Sequence, residues 1–380
     1  MIFDYQTLKV IWWALIGVLL IAFAVTDGWD MGILALLPVI GRTDAERRVM
    51  INAFGATWEG NQTWLITAAG ATFAAWPLVY AVSFSGLYFA MLLALFALFF
   101  RPVGIDYRSK LQDRRWRAMW DWGLFTGGAV PPLVFGIAFG NLLQGLPFHF
   151  DETMRAFYTG SFFALFNPFA LLCGVVSVAM LVMHGAVYLQ LRTTGVVQQR
   201  AVRATLVSGA VLVVTFALAG WLVAGSVHGY RITAMPPADG VWMPPAKSAV
   251  SAAGAWLDNY TTYPLAKAVP IAAFAGTLLA MLLARINRPV LALLCSGLAV
   301  AAVILTAGIS MFPFIIPSSS QPASSLTVWD AVSSRKTLSI MFWVVLFFVP
   351  LILAYTGWVY RVLRGKITTE LIESENKTFY

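Results

Sequence analysis

The sequence predicts an all-α integral membrane protein with about nine transmembrane helices. Of its 380 residues, 60% are hydrophobic and only 11% are charged, whereas soluble domains carry roughly one-quarter charged residues. Long apolar runs alternate with short basic loops, and about 20 apolar residues of helix are needed to cross the ~30 Å core of a bilayer. We therefore expect one polytopic membrane domain over residues 1–380.

Nine apolar runs are long enough to be predicted as spans. They cover residues 10–38, 51–76, 77–100, 120–143, 161–191, 204–227, 265–284, 289–312 and 337–360. The first run has no basic segment before it and no small-residue cleavage site, so we interpret it as a retained span and not as a signal peptide. The longest connection, residues 228–264, is predicted to lie on the periplasmic side, with a short amphipathic piece around Ala252 to Tyr260.

The loops alternate in basic charge, which predicts the orientation of the chain because cytoplasmic loops are enriched in Lys and Arg. One side holds 18 of the 25 basic residues: Arg42, Arg47, Arg48, Arg101, Arg108, Lys110, Arg114, Arg115, Arg117, Arg192, Arg200, Arg203, Arg285, Arg288, Arg361, Arg364, Lys366 and Lys377. The N-terminus is therefore predicted to be periplasmic and the C-terminus cytoplasmic. The basic residues form short clusters and no continuous face, which argues against nucleic-acid binding.

Three acids lie within the first two predicted spans. Asp27 and Asp30 are three residues apart on one helix face, and Glu59 shares a face with Gln62 and Thr63. A charged side chain at bilayer depth costs at least ~2.5 kcal/mol, so each acid needs a reason to be there. One interpretation is a path for proton uptake from the cytoplasm, because a carboxylate in a low dielectric can exchange protons near neutral pH. The other is helix packing through hydrogen bonds.

Histidine and cysteine give little sign of a metal or haem site. His149 and His228 fall in predicted outer loops, and His184, alone within a span, is more typical of a hydrogen-bonded interior residue than of a haem ligand. Cys173 and Cys295 lie in apolar runs, and no CxxC or CxxCH motif occurs. We expect no metal site and no directly bound cofactor, so that any catalytic chemistry comes from a partner.

Most tryptophans lie near predicted span ends, as expected for an aromatic belt. Trp58 differs because it is next to Glu59 and near Gln62. An aromatic ring beside an amide and a carboxylate could also contact a flat quinone head, so Trp58, Gln62 and Thr63 are candidate quinone or relay contacts.

A series of motifs extends over almost the whole chain. In order they are AVTDGWDMG (24–32), RTDAERRVMIN (42–52), WEGNQTWLITA (58–68), FFRPVGIDYRSK (99–110), MWDWG (119–123), PPLVFGIAFGNLLQG (131–145), GAWLDN (254–259), LTAGISMFPFIIPSS (305–319) and SSLTVWDAVSS (324–334). This series resembles subunit II of the bacterial cytochrome bd ubiquinol oxidases. Their order, together with nine predicted spans of matching orientation, makes the resemblance specific.

The resemblance implies a multi-pass location in a bacterial cytoplasmic (inner) membrane. It also implies a heterodimer with a haem-bearing subunit I that carries haems b558, b595 and d, sometimes with a small accessory subunit. The implied reaction is quinol oxidation coupled to reduction of dioxygen to water, and the acids implied in proton transfer are Glu59 and Asp27 or Asp30. Some relatives hold a structural quinone in this subunit. Two positions depart from the family pattern: Thr57 stands where relatives often have His, and Glu59 stands where many have Asp.

Two other functions are compatible with embedded acids in a multi-span protein. The chain could be a proton-coupled secondary transporter or ion channel, although no pair of broken helices recurs in its two halves. It could also be a purely structural membrane scaffold. A haem-bearing partner with oxidase spectra would distinguish the oxidase subunit from both.

Overall fold

The computed structural model describes residues 3–236 and 243–374. Its helices, in chain order, are α1 (Tyr5–Ile40), α2 (Asp44–Asn52), α3 (Trp58–Ala75), α4 (Pro77–Gly86), α5 (Tyr88–Tyr107), α6 (Arg114–Gln144), α7 (Pro168–Arg192), α8 (Gly195–Gly225), α9 (Asp258–Thr262), α10 (Ala268–Arg285), α11 (Pro289–Met311), α12 (Arg335–Val362) and α13 (Thr369–Ser374). The predicted all-α membrane architecture is confirmed.

The long helices run back and forth between two ends of a bundle. At the first end, which we name the α2 end, Arg108 after α5 bonds Asp44 of α2, and Gln190 of α7 bonds the carbonyl of Ala284 in α10. At the other end, which we name the hairpin end, the Tyr5 hydroxyl at the start of α1 donates to the carbonyl of Ser333 before α12. The start of α1 and the end of α12 therefore lie at opposite ends of the bundle.

Within the described ranges, eight helices are long and apolar enough to cross a membrane: α1, α5, α6, α7, α8, α10, α11 and α12. The other long helix of the alternating series, α3, has 18 residues but begins with the polar sequence WEGNQT. The count of nine crossings and the direction in which they run stay predictions.

Two predicted spans contain a break in the structure. The run 51–76 contains the end of α2, a turn and then α3, while the run 77–100 is divided into α4 and α5 at Leu87. The break places Gly86 against Tyr158, where an added Cβ would lie 2.8 Å from the tyrosine ring. Because α5 continues to Tyr107, Arg101 lies inside a helix and is fully buried, so its assignment to a basic loop was wrong.

Three small antiparallel hairpins form the loops at the hairpin end. They are β1 (Phe148–Phe150) with β2 (Ala156–Tyr158), β3 (His228–Ala234) with β4 (Ser248–Ala253), and β5 (Phe314–Ile316) with β6 (Leu326–Thr327). The amphipathic piece predicted at 252–260 is instead the end of β4, a turn and the five-residue α9.

Side chains from the 228–264 connection cap two long helices. The Trp256 indole donates to the carbonyl of Leu143 at 2.9 Å, and the Tyr230 hydroxyl donates to that of Gln144 at 3.0 Å. The Asn259 amide donates to the carbonyl of Ile309 near the end of α11 at 2.7 Å. The last carbonyls of a helix have no partner within it, so this connection completes α6 and α11.

Helix α1 packs closely against α7 because both carry glycine at their contact. A Cβ at Gly32 would lie 2.0 Å from the Leu181 carbonyl oxygen, and one at Gly185 would lie 2.7 Å from the backbone of Gly32. Small residues let helix backbones approach each other in this way. The close contact fixes the rotation of α1 and therefore the direction in which Asp27 and Asp30 point.

Candidate functional site

A fully buried ion pair joins α1 to α5. The Arg101 guanidinium donates to both carboxylate oxygens of Asp27, through Nη1 to Oδ2 at 2.7 Å and through Nη2 to Oδ1 at 2.5 Å. Both side chains have 0% exposure. Gly127 of α6 makes room for the arginine, since a Cβ there would lie 2.8 Å from Arg101 Cγ. The planar guanidinium matches a carboxylate in two parallel hydrogen bonds, so Arg101 is a dedicated partner of Asp27.

Asp30 lies beside this pair but is bound differently. Its Oδ2 accepts a hydrogen bond from Asn61 Nδ2 of α3 at 2.8 Å and is 3.9 Å from Arg101 Nη2. Its Oδ1 is buried and has no hydrogen-bond partner among the described residues. With both acids ionised, the group of two carboxylates and one guanidinium has a net charge of −1 (one minus two). A single proton on Asp30 makes the group neutral, which a low-dielectric interior favours.

Aromatic side chains enclose the cluster. The Trp29 ring stacks on Tyr188 with centroids 4.5 Å apart and meets the edge of Tyr360 at 5.7 Å. The Trp58 ring centroid lies 6.0 Å from the Arg101 guanidinium. Trp58 is 8% exposed. Its ring therefore lies beside the buried charges, as well as beside Glu59 in the sequence.

Glu59 and Thr63 do not face this interior. Both are exposed on the surface of the chain, and Gln62 is half-buried. They belong to what we name the outer face of α3, which consists of the exposed residues Glu59, Thr63, Ile66, Thr67, Gly70 and Phe73. The Thr63 hydroxyl donates to its own helix, to the Gly60 carbonyl at 2.6 Å. The expected stripe therefore exists, but it faces away from the core of this chain because Trp58, Asn61 and Trp64 occupy the inner side of α3.

A second ion-pair network, at the α2 end, was not predicted. Arg108 is 1% exposed and bonds Asp121 at 2.5 Å and Asp44 at 2.9 Å, while Arg47 bonds Asp121 at 2.5 Å and Arg117 bonds Asp44 at 2.6 Å. This network ties α2 to the end of α5 and the start of α6. It orders the basic loops and does not contact the Asp27–Asp30 cluster through any hydrogen bond of the described residues.

His184 is placed as an interior residue. Its Nδ1 lies 2.8 Å from the Ser296 hydroxyl and its Nε2 lies 2.9 Å from the Val25 carbonyl oxygen. Both ring nitrogens are thus engaged, so the side chain does not fit an axial haem ligand. His228 is exposed, and His149 stacks on Phe157 in the β1–β2 hairpin with ring centroids 5.7 Å apart. Over residues 3–236 and 243–374, no cluster of His, Cys, Asp and Glu could hold a metal ion.

The structure brings together Asp27, Asp30 and Trp58, and it separates Glu59 and Thr63 from them. Three members of the cluster were not predicted from the sequence: Arg101, Asn61 and Tyr360. The sequence carries a signal for two of them. Arg101 interrupts an apolar run, and Asn61 lies three residues after Trp58 on the same helix face.

Comparisons with known proteins identify the family. The family model "Cytochrome bd terminal oxidase subunit II" matches residues 8–363. The chain is 52% identical over 377 residues to "Cytochrome bd-I ubiquinol oxidase subunit 2" of Escherichia coli (strain K12), covering 99% of this chain and 100% of that protein. It is 50% identical over 378 residues to "Probable cytochrome oxidase subunit 2" of Haemophilus influenzae, again covering 99% and 100%.

A solved structure, "The structure of bd oxidase from Geobacillus thermodenitrificans", shares the fold. Its TM-score is 0.69 at 15% identity, covering 94% of this chain and 99% of the solved chain. The match to the family model spans most of the motifs noted above. The chain therefore belongs to the cytochrome bd terminal oxidase subunit II family.

Proposed function

We propose that this inner-membrane chain is the second subunit of a quinol oxidase that couples ubiquinol oxidation to the reduction of dioxygen to water. The supporting observation is full-length similarity to a protein named as a ubiquinol oxidase subunit, with 52% identity over 99% of the chain. Family membership sets aside the transporter and channel alternatives. What the chain contributes can be derived from two features, the outer face of α3 and the buried cluster.

The haems b558, b595 and d belong, in this proposal, to the partner subunit I. The three histidines of this chain are engaged, exposed or located in a hairpin. A haem supplies electron transfer and oxygen chemistry where it is bound, and this chain's own residues supply protons and packing. A structural quinone beside Trp58 and an accessory subunit are further expectations of the family resemblance.

The outer face of α3 is the proposed docking surface for subunit I. Glu59 is exposed there, and within the described residues its carboxylate has no hydrogen bond or ion pair. Contact with lipid at this position would cost at least ~2.5 kcal/mol, whereas contact with a protein partner or enclosed water would not. Helix α12, which contacts α3 and α1, buries only Leu338 among its 28 residues. A subunit docked on the outer face of α3 would also cover part of this exposed helix.

Docking would also place the acids in one path. Asp27 is engaged by Arg101 through both of its oxygens, whereas Asp30 can hold the proton that makes the cluster neutral. Glu59 lies on the same helix as Asn61, which bonds Asp30. We assign proton uptake to Glu59 and Asp30, with subunit I completing the path, because oxygen reduction consumes protons that must enter from one side of the membrane.

Photocrosslinking tests the docking surface. A photoreactive residue at position 63 should capture a chain that carries b-type and d-type haem absorbance in the assembled complex. The matched control is position 214 on α8, where Val214 is 65% exposed and is expected to face lipid. Capture of the haem-bearing chain from position 214 and not from position 63 would show that the docking surface is elsewhere.

A further inference from the structure

A chain of two hydrogen bonds connects α12 to Asp30. The Tyr360 hydroxyl donates to Asn61 Oδ1 at 2.5 Å, and Asn61 Nδ2 donates to Asp30 Oδ2 at 2.8 Å. Asn61 is 2% exposed. The Tyr360 ring also packs edge-on against Trp29, next to Asp30 in the sequence, with centroids 5.7 Å apart. Tyr360 thus contacts both Asn61, which bonds Asp30, and Trp29, which precedes it in the sequence.

The tyrosine determines which way the Asn61 amide points. An asparagine amide has an acceptor oxygen and a donor nitrogen, and it can present either one by rotating 180°. The phenolic O–H of Tyr360 donates to Asn61 Oδ1, and this hydrogen bond favours the orientation in which that oxygen faces α12. In that orientation Nδ2 faces Asp30 and can only donate.

The amide in turn determines which oxygen of Asp30 can carry a proton. Oδ2 already accepts the Asn61 N–H and is 3.9 Å from Arg101. Oδ1 has no partner among the described residues, and the nearby Trp29 Nε1 has none of acceptable geometry either. We propose that Tyr360 and Asn61 form a positioning pair that holds Oδ2 of Asp30 as an acceptor and leaves Oδ1 as the oxygen that takes up and releases the proton.

Other charged or titratable groups approach Asp30 from every helix around it. These are Asp27 on α1, Arg101 on α5, and Tyr188 and His184 on α7 beside Trp29. Arg101 is engaged with Asp27, and His184 bonds Ser296 and Val25. Within the described residues none of them hydrogen-bonds Oδ1, so Asn61 at hydrogen-bond distance and Arg101 at 3.9 Å, both on the Oδ2 side, distinguish the two oxygens.

The inference rests on the proposed role of Asp30 in proton uptake, and it is tested in the assembled oxidase. Tyr360→Phe keeps the ring against Trp29 and removes only the hydroxyl. Tyr355→Phe on the same helix is the control, since Tyr355 is 64% exposed. The measurements are haem absorbance, quinol oxidase turnover against pH, and the infrared carboxylic-acid band that disappears in Asp30→Asn.

Removing a hydrogen-bond donor from a carboxylate disfavours its charged form, so without the Asn61 donor Asp30 should keep its proton to higher pH. Asn61→Leu should shift the pH–rate profile to higher pH by about one to two units, as expected for loss of a hydrogen bond to a charged group. Tyr360→Phe should shift the pH–rate profile in the same direction by a smaller amount, because the Asn61 amide stays but can rotate. This variant should also shift the infrared carboxylic-acid band. Tyr355→Phe should do neither.

The outcomes separate this inference from the function on which it rests. Wild-type turnover in a fully assembled Asp30→Asn enzyme would remove Asp30 from proton uptake and overturn both. Slow turnover in Asp30→Asn, with an unchanged pH profile and infrared band in Tyr360→Phe, would overturn the positioning pair alone. If Asn61→Leu loses its haems through failed assembly, the Tyr360→Phe result decides.

Discussion

Replacing Arg101 of the buried Arg101–Asp27 pair should destabilise the protein more than replacing Asp27. Arg101→Met removes the only guanidinium of the described residues that contacts Asp27 and Asp30, and it leaves these two buried carboxylates without that counterion. Removing one partner of a buried ion pair typically costs about 3–5 kcal/mol, which is roughly two to three and a half orders of magnitude in the unfolding equilibrium. Asp27→Asn should cost less, because Arg101 retains Asp30 at 3.9 Å as a substitute counterion.

The assay is unfolding of the purified complex in mixed micelles of dodecyl maltoside and increasing SDS, followed by tryptophan fluorescence. The double variant with Arg101→Met and Asp27→Leu should recover much of the loss, because replacing a buried pair by apolar residues is often close to neutral. Arg231→Met is the control: its bond to Asp258 is exposed, with 49% and 47% of the two side chains accessible, and it should cause little change. Equal losses for Arg101→Met and Arg231→Met would refute the reasoning.

Three further predictions concern the proton path, the orientation and the haems. Glu59→Gln should slow turnover by roughly a hundredfold, as for other lost proton-transfer groups, with haem content unchanged. Glu59→Asp should keep much of the activity, because a water can span the missing methylene. An assembled Glu59→Gln enzyme with wild-type oxygen consumption would leave Glu59 as a packing residue. A cysteine at position 110 should resist impermeant reagents in intact cells, and one at the exposed position 263 of the hairpin end should react; the opposite pattern would reverse the topology. A pyridine haemochrome assay of the separated chain should find no stoichiometric haem, and one haem per chain that disappears in His184→Ala would contradict this.

The sequence was sufficient for the helices whose apolar runs end at clear polar loops. It failed where a run contained an internal break, because the hydropathy of residues 77–100 does not show that Leu87 ends one helix and begins another. It also failed for the hairpins, whose strands are only two to seven residues long. Their pairing joins segments up to 25 residues apart, as between His228 and Ala253, and short-range periodicity carries no information about such pairing.

The candidate site was also predicted only in part. Helical spacing correctly placed Asp27 with Asp30, and Glu59 with Thr63, on shared faces. Spacing does not tell which neighbour a face will meet. The counterion of Asp27 comes from a residue 74 positions later, and the charge bias of loops assigned that arginine to the aqueous phase. The cost of a carboxylate in lipid predicted that Glu59 has a reason to be there, but that cost is avoided equally well inside the chain and against a partner subunit.

The caps on α6 have a consequence for biosynthesis. The carbonyls of Gln144 and Leu143 receive their donors from Tyr230 and Trp256, which follow 86 and 113 residues later in the chain. A ribosome must therefore translate α7, α8 and the β3–β4 hairpin before the end of α6 is complete. Until then those carbonyls need water or lipid headgroups, so this helix end must stay at the membrane surface while the nascent chain is inserted.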